Sequence, residues 1–194
     1  MPKLGMKEIR SAQLIEATIE VINEVGLSGA SVAMIGKRAG VAPSIINHYF
    51  SGKSGLMEAT MRHVMQQLSD QIQDQLRQIG ESNPAQRLLA IVNGNFVGAV
   101  NEPKYVKTWL AFWGQAMHDP SLFRLQKINQ KRLISNLRHE TKKLVNSERA
   151  DATTQTLAAL IDGLWLRSAL SPTGIDPDSA VELITQYLKA EGLT

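Results

Sequence analysis

In the stretch AGVAPSIINHYFSGKSGL, Ala39 to Leu56, an amide, an imidazole, a phenol and an amine fall close together at Asn47, His48, Tyr49 and Lys53. Three chemistries compete for such a set. General-base work at His48 needs an acid or a nucleophile at helical spacing, and no Asp or Glu occurs between residues 25 and 57. A phosphate cradle needs G-x-x-x-x-G-K-[ST] after a strand, and SGKSG supplies neither the full motif nor the strand. Contact with nucleic acid suits the set better. Asn bonds bidentately to adenine, Ser, His and Tyr reach base edges or phosphates, and a Lys after them meets the backbone. An amphipathic helical hairpin with a Gly turn has the same outline without any of this chemistry, so the surrounding elements have to decide.

Those elements read as helices. Nearly every segment carries apolar residues at the 3.6-residue period, and no run of alternating Val, Ile and Thr suggests a strand, so the fold class is all-α with about nine helices. The first, about 7–25, has the stripe Leu14, Ile15, Thr18, Val21, Ile22 and Val25, with Gly26 placed for a left-handed cap. Ser31 is the expected N-cap of a short second helix packed through Val32, Ile35 and Ala39, which Gly40 ends. Pro43 suits the first turn of a third helix running through Ile45, Ile46 and Tyr49 to about Phe50. After Ser51-Gly52 a long fourth helix keeps Met57, Met61, Val64, Leu68, Ile72 and Leu76 on one face until Gly80. Asn83-Pro84, Glu102-Pro103, Asp119-Pro120 and Asp176-Pro177 repeat one start signal. With a start near Ser147, they predict helices at about 84–100, 103–117, 120–145, 147–170 and 177–190.

Two short helices joined by a Gly turn after a longer one follow the helix-turn-helix plan, whose second short helix enters the major groove. Ile35, Ala39, Val41 and Ile46 then hold the pair together. Ser44, Asn47 and His48 face out, with Tyr49 at the end.

Composition restricts the remaining classes. With 194 residues and 43% apolar content, the chain can bury a core without covalent staples. It has no cysteine, which excludes disulfides and thiolate chemistry and fits a reducing, cytoplasmic setting. The start lacks the apolar core of a signal peptide, and no apolar run approaches the roughly 18 residues of a membrane span. Charge is uneven. Residues 1–53 carry six Lys and Arg against four Asp and Glu, 54–150 thirteen against eight, and 151–194 two against six. The last stretch is thus poorly suited to an anionic polymer. His118 and His139 show no metal-ligand spacing, and no metal or cofactor is expected. The series Arg124, Lys127, Lys131, Arg132, Arg138, Lys142 and Lys143 is either a solvated helix face or a second nucleic-acid surface, the first being commoner.

The residues Ser31 to Leu56, SVAMIGKRAGVAPSIINHYFSGKSGL, resemble the DNA-binding domain of TetR-family repressors. The resemblance implies a helix-turn-helix domain over 1–55, with its motif at about 31–50, and a ligand-binding and dimerisation domain over 56–194. It implies base contact near Pro43, Ser44 and Asn47 and backbone contact at His48, Tyr49 and Lys53, with Ser31 also at the DNA face. Lys3, Lys7 and Arg10 are candidates for an N-terminal arm. Ala42 and Gly36 depart from the usual Ser or Thr and Ala, and both are expected to loosen the head slightly. Pairing of the last two long helices, about 147–170 and 177–190, implies a homodimer on a double-stranded operator.

The segments MPKLGM, NHYFSGKSGLMEATMRH, TWLAFWGQAMHDPSLFRLQKIN and AALIDGLWLRSAL resemble, within that family, the choline-responsive repressors of glycine betaine synthesis. The implied function is repression of genes for choline transport and for synthesis of this osmoprotectant, relieved by choline. A quaternary ammonium ion cannot donate hydrogen bonds and is held by aromatic faces with a carboxylate nearby. Trp109 and Trp113, four residues apart, and Trp165, three after Asp162, are the candidates to line one ligand pocket, with Asp162 as its counter-charge. Core packing alone is the competing explanation for each of them. Another cationic or lipophilic effector, a helical enzyme, and an interaction module remain as alternatives.

Overall fold

The computed structural model describes residues 5–80, 83–98, 101–172 and 176–193. Among them there are nine helices and no strand: α1 Met6–Gly29, α2 Val32–Arg38, α3 Ser44–Phe50, α4 Lys53–Ile79, α5 Pro84–Phe96, α6 Pro103–Ala116, α7 Pro120–Leu144, α8 Ser147–Leu170 and α9 Pro177–Ala190.

The helix ends follow from local chemistry. Gly26 takes φ 73° and breaks α1 at the expected position. One further turn follows it and closes by a bond from the Ala30 amide to the Gly26 carbonyl. The Pro start signals divide into two kinds. Asn83 and Asp119 accept amide hydrogens with their side chains, Asn83 from Gln86 at 3.1 Å and Asp119 from Ser121 at 2.9 Å. Glu102 and Asp176 make no such cap. The cap of α8 is Asn146, which accepts from the Arg149 amide at 3.0 Å. Helix α5 stops at Phe96, short of the expected 100, and residues 99–100 lie outside the described set.

The chain divides into two compact units. The first comprises residues 1–65 and 102–126, so it contains α1 to α3, the start of α4, α6 and the first residues of α7. Here α1 packs on α2, α3 and, most extensively, α6, burying Leu14, Ile22, Ile35, Ile46, Tyr105 and Phe112. The second unit comprises residues 66–101 and 127–194. Its core joins Ile72, Leu88, Leu137, Leu157, Ile161 and Ile184, with α5, α8 and α9 in mutual contact. One ion pair is buried in that core: Arg87 Nε donates to Glu140 Oε1 at 2.7 Å, and Lys143 Nζ donates to Oε2 at 2.9 Å. Arg87 also donates to the Gly80 carbonyl. Burial alone would raise the Glu140 carboxyl. The hydrogen bonds from Arg87 and Lys143 outweigh it and hold the group below the ordinary carboxylate value.

Candidate nucleic-acid interface and effector residues

The hairpin α2–α3 is built on two fully buried side chains, Ile35 and Ile46, one per helix. In the seven-residue α3, Ile46 is the fully buried side chain and Ile45, Tyr49 and Phe50 are half-buried beside it. Its neighbours Ser44, Asn47 and His48 are therefore turned out and exposed, as is Pro43 just ahead of them. Tyr49 is half-buried, and its ring meets that of His48 edge-on with centroids 5.1 Å apart. Lys53, the first residue of α4, is exposed. Ser31 caps α2, its hydroxyl oxygen accepting the Met34 amide at 3.2 Å, and the residue stays exposed.

The turn between the helices is tight. Gly40 takes φ 65°, and the Val41 amide bonds the Gly36 carbonyl at 2.9 Å. A Cβ on Gly36 would lie 3.0 Å from the Val41 carbonyl oxygen and 3.3 Å from Pro43 Cα. Gly36 was expected to loosen the head; here it gives the turn room to close. No side chain caps α3, in keeping with Ala42. Its first turn closes instead by short backbone bonds, Ile45 amide to Ala42 carbonyl at 3.0 Å and Ile46 amide to Pro43 carbonyl at 3.2 Å.

Three contacts that hold this head were missed by sequence reasoning. Arg38, in the last turn of α2, donates to Glu20 at 2.9 Å and to Glu24 at 2.6 Å, fastening α2 to α1. The bonds to Glu24 and then Glu20 hold its guanidinium above the ordinary arginine value. Lys104 at the start of α6 donates to Glu16 at 2.5 Å, fastening α6 to α1. Gly55, in the first turn of α4, faces the Phe50 carbonyl so closely that any Cβ there would land on its oxygen. The i, i+4 spacing of Glu16, Glu20 and Glu24 was the only available signal, since it puts three carboxylates on one face of α1.

Of the arm candidates, Lys7 is exposed, Arg10 bonds Gln13 at 2.9 Å, and Lys3 lies outside the described residues. The basic series on α7 is largely exposed, with Arg138 paired to Asp151 at 2.7 Å and Arg124 to Glu58 at 3.6 Å.

The effector candidates fall in two sets. In the first unit Trp109 is buried and Trp113 half-buried on one face of α6, beside the buried Tyr105 and Phe112. In the second unit Trp165 packs half-buried against the core, and Asp162 is exposed on α8. Although the residue is exposed overall, desolvation of its carboxyl raises Asp162 above the ordinary value. Helix α8 also leaves Leu166 and Leu170 exposed, and α9 leaves Leu183 exposed. Among the described residues no helix is long and apolar enough to cross a membrane, and no three His, Asp or Glu side chains group as metal ligands.

With this geometry in place, two family profiles match the chain. Residues 14–60 match the bacterial regulatory proteins of the tetR family, and residues 84–192 match the C-terminal region of BetI-type transcriptional repressors. The HTH-type transcriptional regulator BetI of Vibrio parahaemolyticus is 52% identical over 188 residues, covering 97% of this chain and 94% of that protein. A transcriptional regulator from Rhodococcus sp. superposes with a TM-score of 0.80 at 25% identity, covering 93% of this chain and 96% of that one. A putative regulator from Saccharomonospora viridis, solved in complex with choline, superposes with a TM-score of 0.79 over 94% of this chain and 96% of that one. At 17% identity this last likeness is one of fold.

Proposed function

The chain belongs to the TetR family of regulators, with a BetI-type repressor C-terminal region, and on that premise we propose that it represses genes of choline transport and glycine betaine synthesis until choline binds. It is a DNA-binding regulator and not an enzyme. The observation that carries the reading is the exposed Pro43 at the N-cap of α3 with Ser44, Asn47 and His48 turned outward on the helix, ahead of Lys53 at the start of α4. In this reading Asn47 contacts a base from the major groove, Ser44 and Pro43 lie beside it, and His48, Tyr49 and Lys53 meet phosphates. Ser31 has spent its acceptor on the α2 cap, and its hydroxyl hydrogen remains available for a phosphate.

The exposed Leu166, Leu170 and Leu183 support pairing of two copies through α8 and α9, and an operator of two half-sites about one helical turn apart. Action on an operator places the protein in the cytoplasm. For the effector, Trp109 with Trp113, and separately Trp165 with Asp162, offer the aromatic faces and carboxylate that a quaternary ammonium ion requires. Relief by choline demands that it bind the DNA-incompetent state more tightly than the competent one.

A gel shift across a salt series tests the reading. A preferred operator persists as salt rises while generic duplex binding is lost, and millimolar choline abolishes or alters the operator complex. Binding that does not discriminate between duplexes at any salt concentration refutes the repressor. Operator binding indifferent to choline refutes the effector alone. Trp109→Ala, Trp113→Ala and Trp165→Ala, each checked for folding, then identify the set that holds it.

A further inference from the structure

The Lys104 ammonium sits between two groups of the first unit. Its Nζ lies 2.5 Å from Glu16 Oε1 and 5.0 Å from the centroid of the Tyr105 ring. The hydrogen bond to Glu16 raises its pKa, so the group is a cation at any physiological pH. Tyr105 is buried, whereas the Lys104 and Glu16 side chains are 29% and 40% exposed, so the seat can be reached from solvent along the charged side. An aromatic face and a carboxylate around a positive charge are the elements that hold organic cations. The present occupant happens to be tethered to the chain.

The pair also has a structural task. It fastens α6 to α1, and Glu16 begins the row Glu16, Glu20, Glu24 whose other two members grip Arg38 of α2. Helix α6 and the reading head are thus attached to neighbouring carboxylates on one face of α1.

We propose that Glu16 and the Tyr105 ring form a cation seat that Lys104 fills in this state and that a small quaternary ammonium ion takes in its place, opening the ion pair that fastens α6 to α1. The exchange is non-covalent. The incoming ion gains the ring face and the field of Glu16, and the displaced ammonium is rehydrated. Because a quaternary ion cannot donate a hydrogen bond to Glu16, the native seat binds weakly, in the millimolar range. The regulatory consequence rests on the reading of the chain as a cation-relieved repressor, whereas the seat itself does not.

The test is titration calorimetry of the full chain with tetramethylammonium chloride at constant chloride concentration, with choline chloride as a second probe. Lys104→Met removes the tethered competitor and is expected to tighten tetramethylammonium binding at least tenfold. Lys104→Arg keeps a cation in place and should bind as the native chain does. Adding Glu16→Gln or Tyr105→Leu to Lys104→Met should abolish the gain, while adding Trp109→Ala should not. Circular dichroism melts establish folding, and Lys104→Gln replaces any Lys104→Met protein that fails to fold. Unchanged binding in the lysine variant, or a gain that survives Glu16→Gln, overturns the seat. A gel shift on the native chain without ligand reports on the repressor reading separately, since the titration contains no DNA.

Discussion

Replacing Gly55 with alanine asks whether the start of α4 is held by backbone contact. Ser51 at φ 58° and Gly52 at φ 98° reverse the chain after α3 and lay the Phe50 carbonyl against the first turn of α4. A Cβ on residue 55 would occupy the position of that oxygen, and real Cβ atoms essentially never approach another heavy atom within 3.0 Å. Rotation of a side chain cannot relieve a clash between two backbones. Forced overpacking costs roughly 1–3 kcal/mol, with rigid partners at the upper end, while alanine returns at most about 1 kcal/mol of helix propensity. The net loss is about 2 kcal/mol, which for a chain of this length lowers the unfolding midpoint by roughly 4–8 °C. Lys53 is two residues away, so operator affinity falls as well. Gly114→Ala on α6 is the control, because nothing lies within 4 Å of its Cβ position and the same propensity should raise the midpoint. Thermal unfolding followed by circular dichroism, with gel shifts on both proteins, decides. A Gly55→Ala protein that melts with the native chain and binds operator equally well refutes the reasoning.

Further outcomes follow from the reading helix and from the charged groups of the second unit. Asn47→Ala should cost about 1–3 kcal/mol on the operator and little on generic duplex, whereas Lys53→Ala should weaken both and reduce the salt slope by about 0.9; gel shifts across a salt series separate them. Arg87→Met leaves Glu140, 1% exposed, with Lys143 and, at 3.9 Å, His139, and should lower stability by about 3 kcal/mol, the lower end for a broken buried pair; adding Glu140→Met should recover much of it in denaturant melts. Glu140 is held low in the fold, so its stabilisation is complete above the ordinary carboxylate range and is lost as pH falls through its own lower value. Asp162 has the opposite sign, since its folded value is raised. Its penalty is absent in acid, sets in above the ordinary carboxylate value, and is complete once pH passes the folded value. Asp162→Asn should therefore raise the melting midpoint at neutral pH, lose that advantage in acid, and weaken choline binding if the carboxylate is its counter-charge.

What could be read from the sequence was local. The reading helix was legible because Ile45, Ile46, Tyr49 and Phe50 claim the inward face at helical spacing, which leaves Ser44, Asn47 and His48 to face out. Gly26 and Gly40 marked breaks because their backbones need positive φ, and each Pro start signal marked a helix start whether or not its neighbour supplied a cap. What escaped was set by distance along the chain. Lys104 and Glu16 are 88 positions apart, and nothing in the composition of α6 shows that it packs on α1. Gly55 escaped for a subtler reason. A glycine in the first turn of a helix looks unremarkable until the positive φ of Ser51, two positions before Lys53, brings the Phe50 carbonyl over it.

The carboxylate row on α1 limits how an effector can act. A ligand shifts a conformational equilibrium only by its differential affinity for the two states, and each tenfold difference is about 1.4 kcal/mol. An ion at the Glu16 seat competes with a tethered ammonium in the state that Lys104 closes, and meets an open seat once that ion pair has opened. The competition thus supplies the differential affinity. If Lys104 reduces affinity tenfold, saturating cation favours the opened pair by that factor in each protomer, and by about a hundredfold in a dimer whose two heads must engage together. The cost is sensitivity, because the seat responds only to a cation abundant enough to outcompete a neighbouring side chain. The Lys104→Met protein, in which nothing competes for the seat, should accordingly bind choline at concentrations at least tenfold lower than the native chain yet lose the effect of choline at this seat on the operator complex, in the same gel shift that defines the operator.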